Sequence, residues 1–600
     1  MAIKYLDGKR LYRTLHAGLQ KVLSREDYLN KINVFPVPDS DTGTNMAVTL
    51  TAIKDGIDEN DHPDINAMSQ KIADSALDGA RGNSGVILAQ FLVGFANGLK
   101  DRITISTEQF SEAVHEACVQ AYDALIEPRE GTILTVIREW SESVHDHSSK
   151  LPDFSQMLHN SLERAQVALK ETRDKLDVLK KANVVDAGAQ GFVYLLEGMQ
   201  DFITSGKIRN YTRKKDREMA DPVVNYPLEN ELESKYRYCT ECTVNGRNLD
   251  KKTLRKKLDS LGDSTVVAGN DKKLKVHIHT DDPQSVFELC RQSGLVSGEK
   301  ADDMLRQQKH RQADNAEIAV VIDSACDLPE DVIQAMNIQV VPVKLGFGDE
   351  HFIDGIGITP EEFWAKTAAS AHHPKTSQPS PGDFRRHYEL LKQHFKTIIS
   401  IHIPAGSSGT FQSAMMAAKT QKNVNIELVD SMNLTVGAGL IALRAAEAIQ
   451  AGKTADQVVK ITRRAVDQTK IYIGLESLDF AVKGGRVPAV VNKIAKTINM
   501  NPILVVDKAG KMGVGGKTFG ARNRPDKLLK FVLKKLDKTK RYRFGVAYTT
   551  NHYEAHRIAH RFRQLAGNEN VFFAQVGPAL SVHGGPGTIA IATQEIEEAN

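Results

Sequence analysis

The chain has 600 residues, with 78 Lys and Arg against 75 Asp and Glu and a formal net charge of +3. That near balance gives no global electrostatic case for a nucleic-acid partner. At about 150 residues per domain the length predicts three or four units, and 41% hydrophobic with 26% charged residues excludes disordered and fibrous classes. Apolar runs such as Val86–Ala89 and Ile318–Ile322 fall far short of the roughly 20 residues that cross a bilayer, and the start MAIKYLDGKRLY has no signal-peptide core, so a cytoplasmic protein is expected. The 5 scattered cysteines predict reduced thiols rather than a disulfide framework.

Residues 1–205 carry helix-period stretches such as Val86–Leu99 and Gly191–Phe202, broken by short Gly, Asp and Pro turns, and read as an all-helical domain. In Asn33–Met46 (NVFPVPDSDTGTNM) two carboxylates, Asp39 and Asp41, stand one residue apart on a Pro-rich turn ahead of Thr42, Gly43, Thr44 and Asn45. Hard oxygen ligands so placed suit Mg²⁺ with phosphate oxygens and water; taken alone, acidic turn residues more often cap helices. Three further Gly-bearing turns precede apolar helices: Arg81–Gly85 with Asn83 and Ser84, then Glu130 with Gly131 and Thr132, then Asp186–Gly191 with Gly188. Each could dock a phosphate on a helix N-terminus, and each singly is an ordinary way to begin a helix.

A basic stretch, Lys207–Arg217, opens a linker spanning 206–235 that reads as solvated chain with at most transient membrane-surface contact. From 236 to 312 alternation replaces helical periodicity, predicting a small α+β domain: YRYCTECTV, a helical LDKKTLRKKLDSL, STVVAGNDKKLKVHIHT and a helical SVFELCRQS. His277 and His279 sit two apart in a strand and share a face; Cys239 shares its face with Glu241, and Cys242 lies on the other. Cys239, His277 and His279 therefore suit Zn²⁺ with one position left for water, a carboxylate or substrate; a hydrogen-bonded His pair is the competing reading.

Residues 313–600 alternate strand-like runs (IAVVID, IQVVPV, TIISIHIP, NIELVD, KIYIGL, FGVAYTT, NVFFAQV) with helical segments, predicting a two-lobed α/β domain with parallel sheet. Small-residue turns follow the strands: Thr376 and Ser377, then Ser407, Ser408 and Gly409, then the turn ending at Arg486, then the one beginning at His583. Hydroxyls and N–H groups there form a polar mouth able to hold one carboxylate or phosphate. The stretch Gly510–Thr518 evokes a phosphate-binding loop, but Lys511 breaks the required glycine spacing, and a Gly-rich turn of strand is expected instead.

Taken together, NVFPVPDSDTGTNM, GARGNSG, EGTILTV and VVDAGAQG resemble the L-subunit-type domain of dihydroxyacetone kinases, most closely the version in bacterial fatty acid kinases. The resemblance implies an α-helical barrel binding ATP, with two Mg²⁺ ions between Asp39, Asp41 and the phosphates; Asn33 stands near where related kinases carry another acidic ligand. YCTE and VHxHTxDP resemble the central domain of the fatty acid kinase A family, implying zinc on Cys239, His277 and His279 and a homodimer. The post-strand turns resemble the DegV family of fatty-acid-binding proteins. This implies that Thr376 and Ser408 bond a lipid carboxylate, with Arg486 and His583 at the mouth guiding docking or stabilising an acyl phosphate, and a long-chain fatty acid in an apolar tunnel between lobes. Stand-alone kinases of this type end in a DegV-like domain that has lost lipid binding; here the motif residues are retained. The expectation is a self-contained fatty acid kinase making acyl phosphate for phospholipid synthesis, with acyl-phosphate-using acyltransferases as partners. A kinase for a small polyol or ketone, a lipid-binding protein with a vestigial kinase domain, and a zinc hydrolase are the competing readings.

Overall fold

The computed structural model describes residues 2–36, 38, 41–58, 63–208, 235–306, 317–392, 394–497, 500–520 and 522–596. Asp39, Ser40 and the linker residues 209–234 lie outside the described residues. The chain divides into two compact units, 1–308 and 309–600.

The first unit begins with a helical region in which the helix Gly82–Gly98 is buried nearly all round, as its apolar sequence VILAQFLVGFANG demands. It packs against helices Thr42–Asp55, Ile65–Gly79 and Thr107–Tyr122. Edge-on aromatics fill the centre: the Phe192 ring centroid lies 5.7 Å from those of both Phe91 and Trp140, the T-shaped geometry that ring quadrupoles favour. Helix starts are fixed by side-chain oxygens: Asp7, Asp64 and Asp153 accept the N–H groups of Arg10, Ala67 and Ser155, and Ser106 with Gln109 makes a capping box.

The same unit contains an antiparallel sheet of β1 (Tyr238–Asn245), β2 (Asp263–Gly269), β3 (Lys273–Thr280) and β4 (Leu295–Asp303), in the order β2-β3-β1-β4. The polar sequence LVSGEKADD of β4 hides its strand character; it was not among the expected strands, and pairing with β1 decides it. Cys242, Val244, Val276 and Ile278 are fully buried on the opposite side from Cys239 and His277. The hairpin joining β2 and β3 is fastened to the helices: Gly269 donates its N–H to Gln90 at 2.5 Å, and Lys273 pairs with Asp78 at 2.7 Å.

The second unit is two-lobed. Its first sheet, β11 (Asn425–Asp430), β10 (Thr397–His402), β5 (Ile318–Asp323) and β6 (Ile338–Val341) in that order, is wholly parallel, as the near-continuous apolar runs predict. Its second sheet departs from the expected parallel arrangement. It runs β14 (Met512–Phe519), β13 (Met500–Val506), β12 (Thr469–Gly474), β17 (Ile589–Ile596), β15 (Arg541–Tyr548) and β16 (Val571–Gln575), and only β15 with β16 is parallel. The Gly-rich stretch that evoked a phosphate loop forms a turn at Gly510, φ +72°, and then β14. A small sheet, β8 (Glu350–Ile353), β7 (Lys344–Phe347) and β9 (Lys375–Ser377), completes the unit.

Phe192→Ala should destabilise the first unit by about 3–5 kcal/mol, because the rings around it cannot close the space left behind; chemical denaturation of the full chain, followed by Trp140 fluorescence, measures it.

Candidate functional site

Four helix starts converge in the first unit. The Asn45 amide lies against Gly82: a Cβ there would meet Asn45 Nδ2 at 2.3 Å, and φ is +57°, so only glycine fits. Ser84 in turn lies against Gly188, where a Cβ would meet its Oγ at 2.7 Å and Ile133 Cβ at 3.4 Å. The Asp186 carboxylate closes the set, accepting the N–H of Ala189 at 2.7 Å and facing those of Ile133 and Gly188. Burial pushes Asp186 up to about 6 against those bonds. The turns carrying Asn45, Arg81–Gly85, Gly131–Thr132 and Asp186–Gly188 thus meet at one place, with the positive ends of four helices directed to it.

The residues expected there divide by task. Asp41 is the residue before the helix Thr42–Asp55, yet its side chain makes no capping bond to it, unlike Asp7, Asp64, Asp153 and Asp186. Asn83 Oδ1 is buried without a hydrogen-bond partner. Thr44 is turned inward, its Oγ1 accepting from Asn30 and donating to Glu26 at 3.0 Å each. Thr42 is buried, and a Cβ on Gly43 would meet Glu26 O at 2.3 Å. Gly85 likewise abuts Thr49 Oγ1. Thr132 Oγ1 donates to Arg129 O and accepts from Leu134 N–H, and Gly131 has φ +86°. Thr44 and Asp186 therefore hold the turns in place. Asp41, Asn83 and Ser84 stand on the turns themselves.

Strand register builds the second cluster. Cys239 stands opposite His279 and Glu241 opposite His277 across β1 and β3, while Asp302 and Lys300 of β4 face Cys239 and Glu241 from the other side. Ligand atoms of Cys239, His277 and His279 lie within 4.8 Å of one another. Glu241 is fully buried; Oε1 is 3.2 Å from His277 Nδ1 and accepts the Gly82 N–H at 2.8 Å. Lys275, Lys300 and Arg81 stand 3.6, 3.7 and 3.5 Å away. Burial alone would push Glu241 up, but Lys300, Lys275, the His277 bond and Arg81 hold it well below the usual carboxylate range. Burial lowers His279 to about 3, with His277 beside it, and raises the Cys239 thiol, with Asp41 among the contributing charges. The donor set fits a zinc ion. A thiol and two imidazoles are the ligand types zinc takes, and His277 Nε2 is buried without a partner. Lys275, Lys300, Asp302 and Arg81 were not among the expected site residues; the period-two spacing of Lys275 with His277 was the available signal.

In the second unit a cavity of about 440 Å³ opens where β5, β9 and β10 end. Its mouth is polar, with Thr376, Ser377, Ser407, Ser408, Arg486 and His583, and its depth apolar, with Ile403, Leu434, Ile473, Leu475 and Leu504. Thr376 Oγ1 lies 3.1 Å from His583 Nε2. The ring packs against Gly484, whose Cβ would meet Nδ1 at 2.2 Å, and Arg486 donates to Gly484 O at 2.6 Å. Ser408 Oγ is 2.8 Å from Thr410 Oγ1, and Ser407 donates to Gly510 O. Gly409 serves packing: a Cβ would meet Gln378 Oε1 at 2.1 Å. Gln378 and Thr410, from the same turns, also line the cavity, and so does Thr435, which was not expected there. Beneath it runs a chain from Asp323 through His402 (3.1 Å) and Ser400 (2.7 Å) to Tyr388 (2.8 Å). It has the order of a hydrolase triad, but all four residues are fully buried. Asp323 also accepts the Ile403 N–H at 3.1 Å, so the chain fastens the loop that carries Ser407 and Ser408.

Three comparisons bear on these sites. The DAK2 domain family matches residues 36–201, the FakA-like middle domain of fatty acid kinases matches 235–311, and the DegV family of uncharacterised proteins matches 317–595. All three matches fall in one chain. An uncharacterized protein of Staphylococcus saprophyticus is 31% identical over 366 residues, and one of Staphylococcus epidermidis 31% identical over 363; in each case 60% of this chain is aligned with 65% of the relative. The chain thus spans about 65% of the length of these relatives. Among solved structures, a fatty-acid-binding DegV family protein from Thermus thermophilus is 28% identical, covering 47% of this chain and all of its own, with a TM-score of 0.43. DegV from Bacillus subtilis, described as a fatty acid binding protein, is 24% identical over the same shares, also with a TM-score of 0.43.

Two measurements test these geometries. Cys239→Ser or His277→Ala should abolish zinc retention by the purified chain, read by metal analysis after dialysis against a weak chelator. In the second unit, burial, Arg486 and His373 lower His583 to about 4. Between the ordinary histidine value of about 6.5 and about 4 the unfolded chain binds the extra proton, so stability falls as pH falls through this window. Asp327 and Asp354, raised by burial to about 7 and about 6, act with the opposite sign, losing stability as pH rises. The difference between wild type and His583→Gln in denaturation at pH 7 and pH 4.5 should therefore isolate an acid-side loss present only in the wild type.

Proposed function

We propose that this chain is a fatty acid kinase: the γ-phosphate of ATP passes to the carboxylate of a long-chain fatty acid, giving an acyl phosphate and ADP. The observation that carries this reading is the pairing, in one chain, of four converging helix starts beside Asp41 with a polar-mouthed apolar cavity. Helix starts present N–H groups and positive dipole ends, which phosphate oxygens need. Asp41, with Asp39, would hold Mg²⁺, which neutralises phosphate charge in such transfers. Asn83 and Ser84 would orient the nucleotide, and Thr132 would fix the neighbouring helix start.

In the second unit Thr376 and Ser408 would donate hydrogen bonds to the lipid carboxylate, while each buried methylene of the chain contributes about 0.8 kcal/mol to binding. His583 would orient the Thr376 hydroxyl, and Arg486 would offset the acceptor's charge. A carboxylate is already ionised at neutral pH, so attack on phosphorus needs no general base: one carboxylate oxygen bonds to the γ-phosphorus as the bridging oxygen leaves with ADP. Cys239, His277 and His279 would hold zinc, with one coordination position left open. Domain limits of 1–205, 236–312 and 313–600, joined by the linker 206–235, belong to the same reading. So do a homodimer and delivery of acyl phosphate to acyltransferases of phospholipid synthesis. Fusion of a lipid holder to its kinase raises the local acceptor concentration.

Incubation with Mg·ATP, a long-chain fatty acid and hydroxylamine should yield acyl hydroxamate. Asp41→Asn should lower the yield by about 10²-fold or more, a magnitude typical of losing one charge-stabilising group, while leaving fatty acid binding intact. Thr376→Val with Ser408→Ala should lower it through lipid affinity with nucleotide binding unchanged. Lipid binding without hydroxamate would instead favour a lipid-binding protein.

A further inference from the structure

We propose that Glu241 is a positioning residue that ties the Cys239, His277 and His279 centre to the turn Arg81–Gly85, so that metal retention and nucleotide binding are linked. The nucleotide half of this statement rests on the kinase reading above. Glu241 stands on β1, yet its Oε1 accepts the N–H of Gly82, the first residue of the helix Gly82–Gly98, at 2.8 Å. The same oxygen lies 3.2 Å from His277 Nδ1. Its other oxygen faces Arg81 at 3.5 Å and Lys275 at 3.6 Å.

A carboxylate needed only to balance charge within the sheet would be served by Lys275 and Lys300, both at least nine-tenths buried beside it. Glu241 instead spans two structural elements of the first unit, one bearing candidate metal ligands and one bearing Asn83 and Ser84. His277 Nδ1 lies 3.2 Å from Glu241 Oε1 and 3.9 Å from Cys239 Sγ, and Nε2 is buried without a partner. An imidazole that gives one nitrogen to a metal carries its proton on the other and donates it to an adjacent carboxylate. Ring and carboxylate then fix each other. Because Gly82 shares that carboxylate oxygen, its placement depends on the ring, and Gly82 in turn sets where the helix start and Asn45 meet. Linkage of this kind is reciprocal: whatever factor zinc contributes to nucleotide affinity, nucleotide contributes to zinc affinity.

The test uses the full-length chain, Zn²⁺ with a competing chelator, and the non-hydrolysable analogue AMP-PNP with Mg²⁺. In the wild type, stripping zinc should speed amide exchange across residues 80–88 and weaken AMP-PNP binding by several-fold, and AMP-PNP should tighten zinc by the same factor. Glu241→Gln should lower zinc affinity by about 10–100-fold, the usual cost of losing a carboxylate behind a ligating histidine, and reduce the coupling factor toward one. Glu241→Asp should restore part of both. Wild-type exchange at 80–88 that ignores zinc overturns the proposal, as does a Glu241→Gln protein with unchanged zinc affinity and coupling, or a chain that retains no zinc. If Glu241→Gln fails to fold for want of charge balance at Lys275 and Lys300, the wild-type exchange measurement decides alone. Zinc-dependent exchange at 80–88 without any AMP-PNP binding upholds the tie between centre and turn and removes the kinase reading.

Discussion

A helix start is a concentration of N–H groups that no carbonyl within the helix can satisfy, and the first unit brings four of them to one place. Such convergence requires backbones to approach more closely than a Cβ allows, which is why Gly82 and Gly188 stand where Asn45 and Ser84 press against them. It also requires a buried acceptor to tie the starts together. Asp186 does this for two of the four helices, and Glu241, from the sheet, takes the Gly82 N–H of a third. Packing and electrostatics are inseparable here: the groups that hold the turns are those that set the local field.

The second unit solves a different problem with similar means. A cavity that is apolar in depth and polar at its mouth needs hydroxyls held in fixed directions by groups that are themselves satisfied. Tight turns at Gly484 and Gly409 let His583 and Gln378 pack directly on the backbone. The buried chain from Asp323 to Tyr388 fastens the loop of Ser407 and Ser408 from beneath. Its resemblance to a hydrolase triad illustrates that order of residues is not function: without exposure there is no substrate, only rigidity.

Much of the architecture was legible from local pattern. The all-round apolar helix Gly82–Gly98, the parallel lobe built on IAVVID and TIISIHIP, and the shared face of His277 and His279 follow from periods of 3.6 and 2, whereas strand register brings Cys239 to that face. Strands such as β4 and β13 were not legible. Their residues are polar or Gly- and Pro-bearing, and they become strands because a neighbour supplies the hydrogen-bonding ladder. The mixed pairing of the second sheet was hidden for the same reason, since the direction of a partner strand is a property of the chain's return path.

Sequence by itself determined which residues carry chemistry: carboxylates, thiols, imidazoles and hydroxyls in turns whose glycines announce close approach. Tertiary structure decided what each of them does. Thr44 is taken up by the Asn30 and Glu26 side chains and Asp186 by backbone N–H, Asp41 is not used to cap its helix, and Glu241 reaches a residue 159 positions away in sequence. The physical reason is that a polar side chain's role is set by which partners desolvate it, and partners distant in sequence are chosen only when the chain packs.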